Sequence, residues 1–155
     1  MNKTRVLTVM VTVIVLAAAA LAFFFRPQTV EAGLGQSLDG PLRVQLTPID
    51  DTAPLVFSLA PDDDAFEELT ALLESQRFRR AFVQPAQYTV SLDYMADLSF
   101  LDGTPSKLSF CGDRFLQFHA PEGLRAFTIA GLDSGKSRAF QEKLLDLLLH
   151  AAPNP

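Results

Sequence analysis

The most prominent feature of the sequence is one uninterrupted apolar run near its start. Residues 6–25, from Val6 to Phe25, contain no charged side chain, and only Thr8 and Thr12 are polar. A helix of this length extends about 30 Å, which is the thickness of the hydrocarbon core of a bilayer. The pattern therefore predicts an N-terminal transmembrane helix that anchors the protein in a cell membrane.

The charges beside this run predict its orientation. Lys3 and Arg5 precede the run, whereas Arg26 alone follows it closely. Because positive charge is retained in the cytoplasm, we expect residues 1–5 in the cytoplasm and the chain after residue 25 outside it. The protein is thus predicted to be single-pass, with an extracytoplasmic C-terminal part.

A cleaved signal peptide is the alternative interpretation of the same run. Small residues at the positions that a signal peptidase recognises occur in residues 30–32 (VEA) and 20–22 (ALA), and cleavage near Ala32 would release a secreted protein. The apolar core of a signal peptide usually spans only about 7–15 residues, which favours the uncleaved anchor. Either interpretation places the remaining chain outside the cytoplasm.

Composition separates a predicted linker from a predicted domain. Residues 26–41 contain three Gly and two Pro and show no apolar periodicity, which is typical of a loosely ordered linker. Periodic patterns occupy residues 42–151, which we therefore expect to form the domain. Residues 152–155 are left as a short tail.

The first half of the domain predicts a hairpin and a helix. Apolar and polar positions alternate in residues 42–46 (LRVQL), and residues 55–59 (LVFSL) form a second short strand. A helix begins near Asp64, where Glu67 lies at the spacing of a capping box, and ends near Gln76. Its expected buried face consists of Phe66, Leu69, Leu72 and Leu73.

The second half predicts a series of antiparallel strands. Apolar residues alternate with polar ones at residues 88–92, 98–100, 108–110, 116–118 and 127–129, with glycine-containing turns between several of these segments. Short strands joined by such turns are typical of an antiparallel meander.

The last predicted element is a helix from about Lys136 to His150, stopped by Pro153. Its apolar stripe consists of Phe140, Leu144, Leu147 and Leu148, widened by Leu145 and Leu149. The complete order predicts an α+β fold, an antiparallel β-meander sheet with two amphipathic helices packed on one face, preceded by the transmembrane helix.

The net charge of the chain is −5, and the charged residues are unevenly distributed along it. Lys3, Arg5 and Arg26 belong to the anchor region, so the exported part has ten basic residues against 18 acidic ones and carries −8. This acidity argues against a nucleic-acid-binding protein. It also predicts that the domain is repelled by an anionic membrane rather than lying flat on it, while cationic peptides or proteins are permitted as partners.

Three features resemble catalytic or binding motifs, and we assign chemistry to none of them. Residues 131–137 (GLDSGKS) end like a phosphate-binding loop but have three residues rather than four between the glycines, so we predict a helix start and no nucleotide site. Cys111, the one cysteine, lacks the surroundings of a thiol enzyme, and His119 and His150 lack the spacing of a metal pair. We therefore expect no catalytic residue, no cofactor and no metal.

Arg77, Arg79 and Arg80 form a basic cluster that is interleaved with Phe78 and Phe82. Guanidinium groups suit anionic ligands, so this cluster is the candidate contact for an anion or for a carboxylate of a partner. The alternative, which we favour, is a solvated strand edge that discourages pairing between sheets.

The order of anchor, linker, acid-capped helix (DDDAFEELTALL), sheet (YTVSLDY, KLSFCGDRFLQF) and leucine-rich final helix (AFQEKLLDLLL) resembles that of small, single-span, extracytoplasmic α+β domains of unknown function in bacteria. The resemblance covers most of the chain and implies location and fold type rather than activity. We expect a non-enzymatic, membrane-tethered module that binds a protein or peptide partner, or acts as a sensor or accessory subunit. The alternatives are a small envelope hydrolase with an acid or Cys/His site and a purely structural envelope component.

Overall fold

The computed structural model describes residues 3–50, 52–81, 93–110, 116–120, 123–129 and 135–153. Helix α1 (Lys3–Phe24) precedes the folded domain. Its section Arg5–Phe24 is long and apolar enough to cross a membrane, and its side chains are not buried against the rest of the described chain. The apolar helix predicted at the start of the sequence is therefore present.

The domain is an α+β structure built on one antiparallel sheet. Its elements are the helices α2 (Val30–Leu34), α3 (Asp64–Glu74) and α4 (Gly135–Ala151) and the strands β1 (Leu42–Pro48), β2 (Leu55–Leu59), β3 (Phe78–Arg80), β4 (Tyr94–Phe100), β5 (Lys107–Phe110), β6 (Leu116–Ala120) and β7 (Gly123–Ile129). Across the sheet the described strands follow the order β2-β1-β4-β5-β6-β7-β3, and neighbouring strands are antiparallel. The predicted α+β class with an antiparallel sheet is confirmed, β4 to β7 form the meander, and α2 is present in addition to the two predicted helices. The strand predicted at residues 88–92 lies outside the described residues.

The predicted hairpin of β1 and β2 lies at one edge of the sheet, with Leu42 opposite Leu59. In the turn that joins the strands, the Asp50 carboxylate accepts hydrogen bonds from the hydroxyl and the N–H of Thr52, at 2.8 and 3.3 Å. The Thr52 hydroxyl lowers the pKa of Asp50. Such local bonds from an aspartate to the residue two positions later stabilise tight turns.

The core lies between one face of the sheet and the domain helices. Phe78 and Phe118 of the sheet lie in contact at 5.4 Å between ring centres, and Phe140 of α4 lies 5.9 Å from Phe78. Aromatic pairs at such distances bury large apolar areas. The opposite face, which we call the polar face, carries Arg43, Gln45, Asp97, Ser99, Lys107, Ser109, Gln117 and His119.

Helix α3 buries the predicted face of Phe66, Leu69, Leu72 and Leu73. Its start differs from the predicted capping box by one residue, because Asp63 rather than Asp64 is the N-cap. The Asp63 carboxylate accepts the N–H of Ala60 at 2.7 Å instead of a helix amide. The Asp63 side chain therefore stabilises the turn before the helix and does not cap a helix amide.

Helix α4 follows the predicted stripe in part. Its buried residues are Ser137, Phe140, Gln141, Leu144 and Leu148, and Leu145 and Leu147 pack against the core. Leu149 is exposed, so the stripe is narrower than predicted.

The segment predicted to be a linker is folded onto the sheet. Its core residues are Val30, Leu34 and Leu38. Gln28 and Phe78 exchange two backbone hydrogen bonds of 2.8 Å. Gly33 lies so close to the Phe118 ring that a side chain would overlap it, and Gly35 ends α2 with a φ of 72°. Gly33 permits a close contact and Gly35 ends a helix, so neither glycine indicates a flexible chain. The prediction of a loosely ordered linker was wrong for this reason.

Candidate functional site

Strand β2 forms one edge of the sheet and is free of charge. In the part of the chain that the structure describes, its pairing partner is β1 alone. Phe57 and Leu59 point toward the core, whereas Val56 is 46% exposed on the opposite side. An apolar edge strand of this kind is a template on which a further strand can pair.

A shallow groove runs beside β2 on the side of the helices. It is lined by Phe57 and Leu59 of β2, by Ala65 of α3, by Ala151 at the end of α4, and by Pro153 beyond that helix. The two alanines are small, so they leave open the space between the strand and the helix ends. In a strand paired along β2, alternate side chains would point toward this groove.

Acidic side chains border the groove. Asp63 and Asp64 line it directly, and exposed Asp62 precedes them. Asp64 lies in the first turn of α3, where the helix dipole stabilises negative charge. Asp50 lies in the turn before β2, so both ends of the strand are flanked by carboxylates. This arrangement attracts positively charged ligands.

The groove continues between α3 and α4. Glu68 of α3 faces Lys143, Asp146 and His150 of α4 in this section, and the two alanines belong to both sections. The Nδ1 atom of His150 lies 2.7 Å from the backbone oxygen of Asp146 and 3.5 Å from its carboxylate. This section therefore carries charged side chains of both signs, whereas the section beside β2 carries acidic side chains next to apolar ones.

The three predicted arginines do not form one site. Arg77 donates to the carbonyl oxygen of Glu74 at 3.2 Å, at the end of α3 where a cation is favoured. Arg79 and Arg80 lie in β3, where successive side chains point to opposite faces. The guanidinium carbon of Arg80 lies 4.4 Å from the ring centre of Phe24 in α1. Strand β3 is a sheet edge, and the anion contact stays a prediction.

The polar face contains a hydroxyl–imidazole pair. The Oγ atom of Ser109 lies 3.4 Å from the Nε2 atom of His119. Burial and the Lys107 cation lower the pKa of His119, and the Asp97 carboxylate opposes them. The carboxylate is itself paired with the Nζ atom of Lys107 at 2.9 Å. Ser109 is only 6% exposed, so little of its hydroxyl is accessible.

The remaining candidates do not converge. His119 lies on the polar face, whereas His150 lies on α4, on the other side of the sheet. Within the described ranges, no group of three or more His, Cys, Asp or Glu could hold a metal ion. Cys111 and residues 131–134 of the loop-like motif lie outside those ranges. Ser137 of that motif accepts the N–H of Ile129 at 3.2 Å, a packing contact at the start of α4.

The sequence analysis predicted β2 as a strand but did not identify its edge as a site. The available signal was an uncharged segment, residues 55–59, between Asp50 and the aspartates at 62–64. Its meaning depends on the strand order, because a central strand can have the same composition.

The chain matches no protein-family model, no curated protein and no solved structure in the three comparisons.

Proposed function

We propose that this protein is a single-pass membrane protein whose extracytoplasmic domain binds an extended peptide segment of a protein partner along β2. The observation that carries the proposal is the uncharged edge of β2 beside a groove lined by apolar and acidic side chains. A peptide strand would pair with the backbone of β2 and place alternate apolar side chains in the groove.

The two edges of the sheet differ in a way that supports this role. Strand β3 has three residues, of which two are arginines, and charge on an edge discourages strand addition. Strand β2 has five uncharged residues. Of the two edges of the sheet in the described residues, the β2 edge is the one without a charged side chain.

The border of the groove indicates the chemistry of the partner. Asp63 and Asp64 are two acids beside Phe57, Ala65 and Pro153. A matching peptide has apolar residues at alternate positions and Lys or Arg next to them, because unlike charges steer association and specify the register.

The location is inferred from α1. Its section Arg5–Phe24 has the length and apolar character of a membrane span, and the positive charges before it favour a cytoplasmic N-terminus. The binding edge is then available to partners outside the cytoplasm. Extraction of membranes with alkaline carbonate tests the anchor, because an integral protein remains in the pellet.

The hydrolase alternative has a weaker basis in the site. The hydroxyl of Ser109 is near an imidazole but is buried, and the Asp97 carboxylate pairs with Lys107. A nucleophile needs access to substrate and a base that is oriented by a third group. We therefore propose a binding function rather than catalysis.

Two matched lysine substitutions test the binding edge. Val56→Lys adds a charge on β2, and Met95→Lys adds one at a similarly exposed apolar residue of β4, at 46% and 38% exposure. We expect Val56→Lys to lower co-purification of the partner from membranes by about tenfold, equivalent to about 1.4 kcal/mol. Met95→Lys should leave it unchanged. Equal effects of both variants would contradict binding at the edge.

A further inference from the structure

A very short connection joins the end of α1 to the β3 edge of the sheet. Three residues separate the last residue of α1, Phe24, from Gln28. Gln28 is bound to Phe78 of β3 by two backbone hydrogen bonds of 2.8 Å. If α1 spans a bilayer, as we propose above, β3 must lie near the membrane surface.

Arginines are concentrated at this junction. Arg80 lies against Phe24 of α1, and the guanidinium carbon of Arg26 lies 4.2 Å from the ring centre of Phe23. Arg79 is exposed on the other side of β3. Arginine side chains near the end of a membrane span extend toward the interface between lipid and water, so an anchored α1 would bring these guanidinium groups to the level of the lipid headgroups.

Few acidic residues lie near this junction in the sequence. Residues 18–30 and 75–92 contain neither Asp nor Glu, and Glu31 and Glu74 adjoin these two ranges. The aspartates at positions 50 and 62–64 flank β2, which lies six strands away from β3. At the usual spacing of neighbouring strands this separation is roughly 30 Å. This distance is several times the Debye length at physiological salt, so the acidic and basic edges are screened from each other.

We infer that Arg26, Arg79 and Arg80 bind the phosphate groups of membrane lipids, so that the β3 edge faces the bilayer and the β2 edge faces away from it. Guanidinium groups match the geometry of phosphate oxygens. The repulsion from the membrane that the sequence predicts then acts on the acidic β2 edge. The basic β3 edge contacts the membrane surface. The inference rests on the proposed anchor but not on peptide binding.

The orientation can be measured with the full-length protein in lipid nanodiscs. A fluorophore is placed at Thr128→Cys, opposite Arg79, or at Ser58→Cys on β2, each combined with Cys111→Ser. A nitroxide on the lipid headgroups quenches nearby fluorophores. We expect quenching to be several-fold stronger at position 128 than at position 58, and stronger still when phosphatidylglycerol is added to phosphatidylcholine.

Charge variants test the role of the arginines. Arg79→Gln with Arg80→Gln should remove most of the increase in quenching at position 128 that phosphatidylglycerol causes, whereas the short connection from α1 keeps position 128 closer to the membrane than position 58. Arg43→Gln with Lys143→Gln removes the same charge elsewhere and should preserve the increase. Arg79→Gln alone, at an exposed side chain, should reduce the increase in part even if the double variant does not fold.

The outcomes separate the two proposals. Equal quenching at both positions in a carbonate-resistant protein overturns the lipid contact, and so does quenching that the arginine variants leave unchanged. Loss of the protein from carbonate-washed membranes overturns the anchor itself.

Discussion

Single residues show how closely the domain packs, and Gly33 is the sharpest case. A Cβ atom at this position would overlap the Phe118 ring. Gly33→Ala is therefore expected to lower the free energy of unfolding by about 1–3 kcal/mol, because α2 must move away from β6. Chemical denaturation of the full chain in detergent, followed by circular dichroism, measures the change.

Gly40 provides the control for this substitution. A Cβ atom there meets no other atom within 4 Å, and its φ is not in the left-handed region. Gly40→Ala should therefore leave stability unchanged or raise it slightly. If Gly33→Ala were as stable as Gly40→Ala, the close packing of α2 on β6 would be wrong.

His119 makes stability depend on pH. Burial and Lys107 lower its pKa in the folded protein, so the unfolded chain binds the proton more readily. The contribution is present above the unfolded pKa of about 6.5, and it is lost as pH falls from that value through the lower pKa of the folded protein. Thermal melts between about pH 7.5 and about pH 5.5 should show a smaller loss of stability in His119→Gln than in the unmodified protein. Equal losses of stability in the two proteins would contradict a lowered pKa of His119.

At the scale of elements, local patterns predicted most of the described fold. The β1–β2 hairpin and the buried face of α3 follow from alternation and helical spacing, which are local properties of the chain. Asp63 shows the limit of such rules. Three consecutive aspartates offer several caps, and the one chosen depends on the turn at Ala60.

Helix α2 was not predicted, because its reason for folding is not local. It has only five residues, too few for a helix to be stable alone. Val30 and Leu34 are buried by the sheet, and the Thr29 hydroxyl accepts the N–H of Ala32 at 3.2 Å. Tertiary contacts therefore supply the stability that the composition of residues 26–41 does not indicate.

This packing leads to a prediction about processing. Cleavage after Ala32 would remove Val30, which is 0% exposed, and the Gln28 bonds to Phe78. A chain that begins at Gly33 should be less stable than one that begins at Phe23 by at least about 2 kcal/mol, the usual contribution of a buried valine. Denaturation of both chains compares them, and a native protein with Gly33 as its first residue would contradict this expectation.

At the scale of the whole molecule, the sequence indicated the kinds of residues in the site but not their arrangement. Arg77, Arg79 and Arg80 are neighbours in the chain, yet they point to a helix end and to two faces of β3. Phe57 and Pro153 are distant in the chain and line one groove. Such proximity depends on the strand order and helix packing, which no local pattern specifies.

The two edges of the sheet together define how the molecule would work. Strand β3 lies beside the end of α1, with Arg80 against Phe24, and β2 lies at the opposite edge. In our proposals the first edge meets lipid and the second meets a partner. The edge that binds peptide is then the edge farthest from the bilayer, where a partner has free access.

Site-specific photo-crosslinking in the native membrane shows whether a peptide segment of a partner binds along β2. A photoreactive amino acid at Val56 samples the β2 edge, and the same group at Met95 samples an exposed position on β4, two strands from that edge. We predict that position 56, and not position 95, joins one discrete protein through an apolar segment flanked by Lys or Arg. Equal crosslinking at both positions, or crosslinks to no defined segment, would contradict peptide binding along β2.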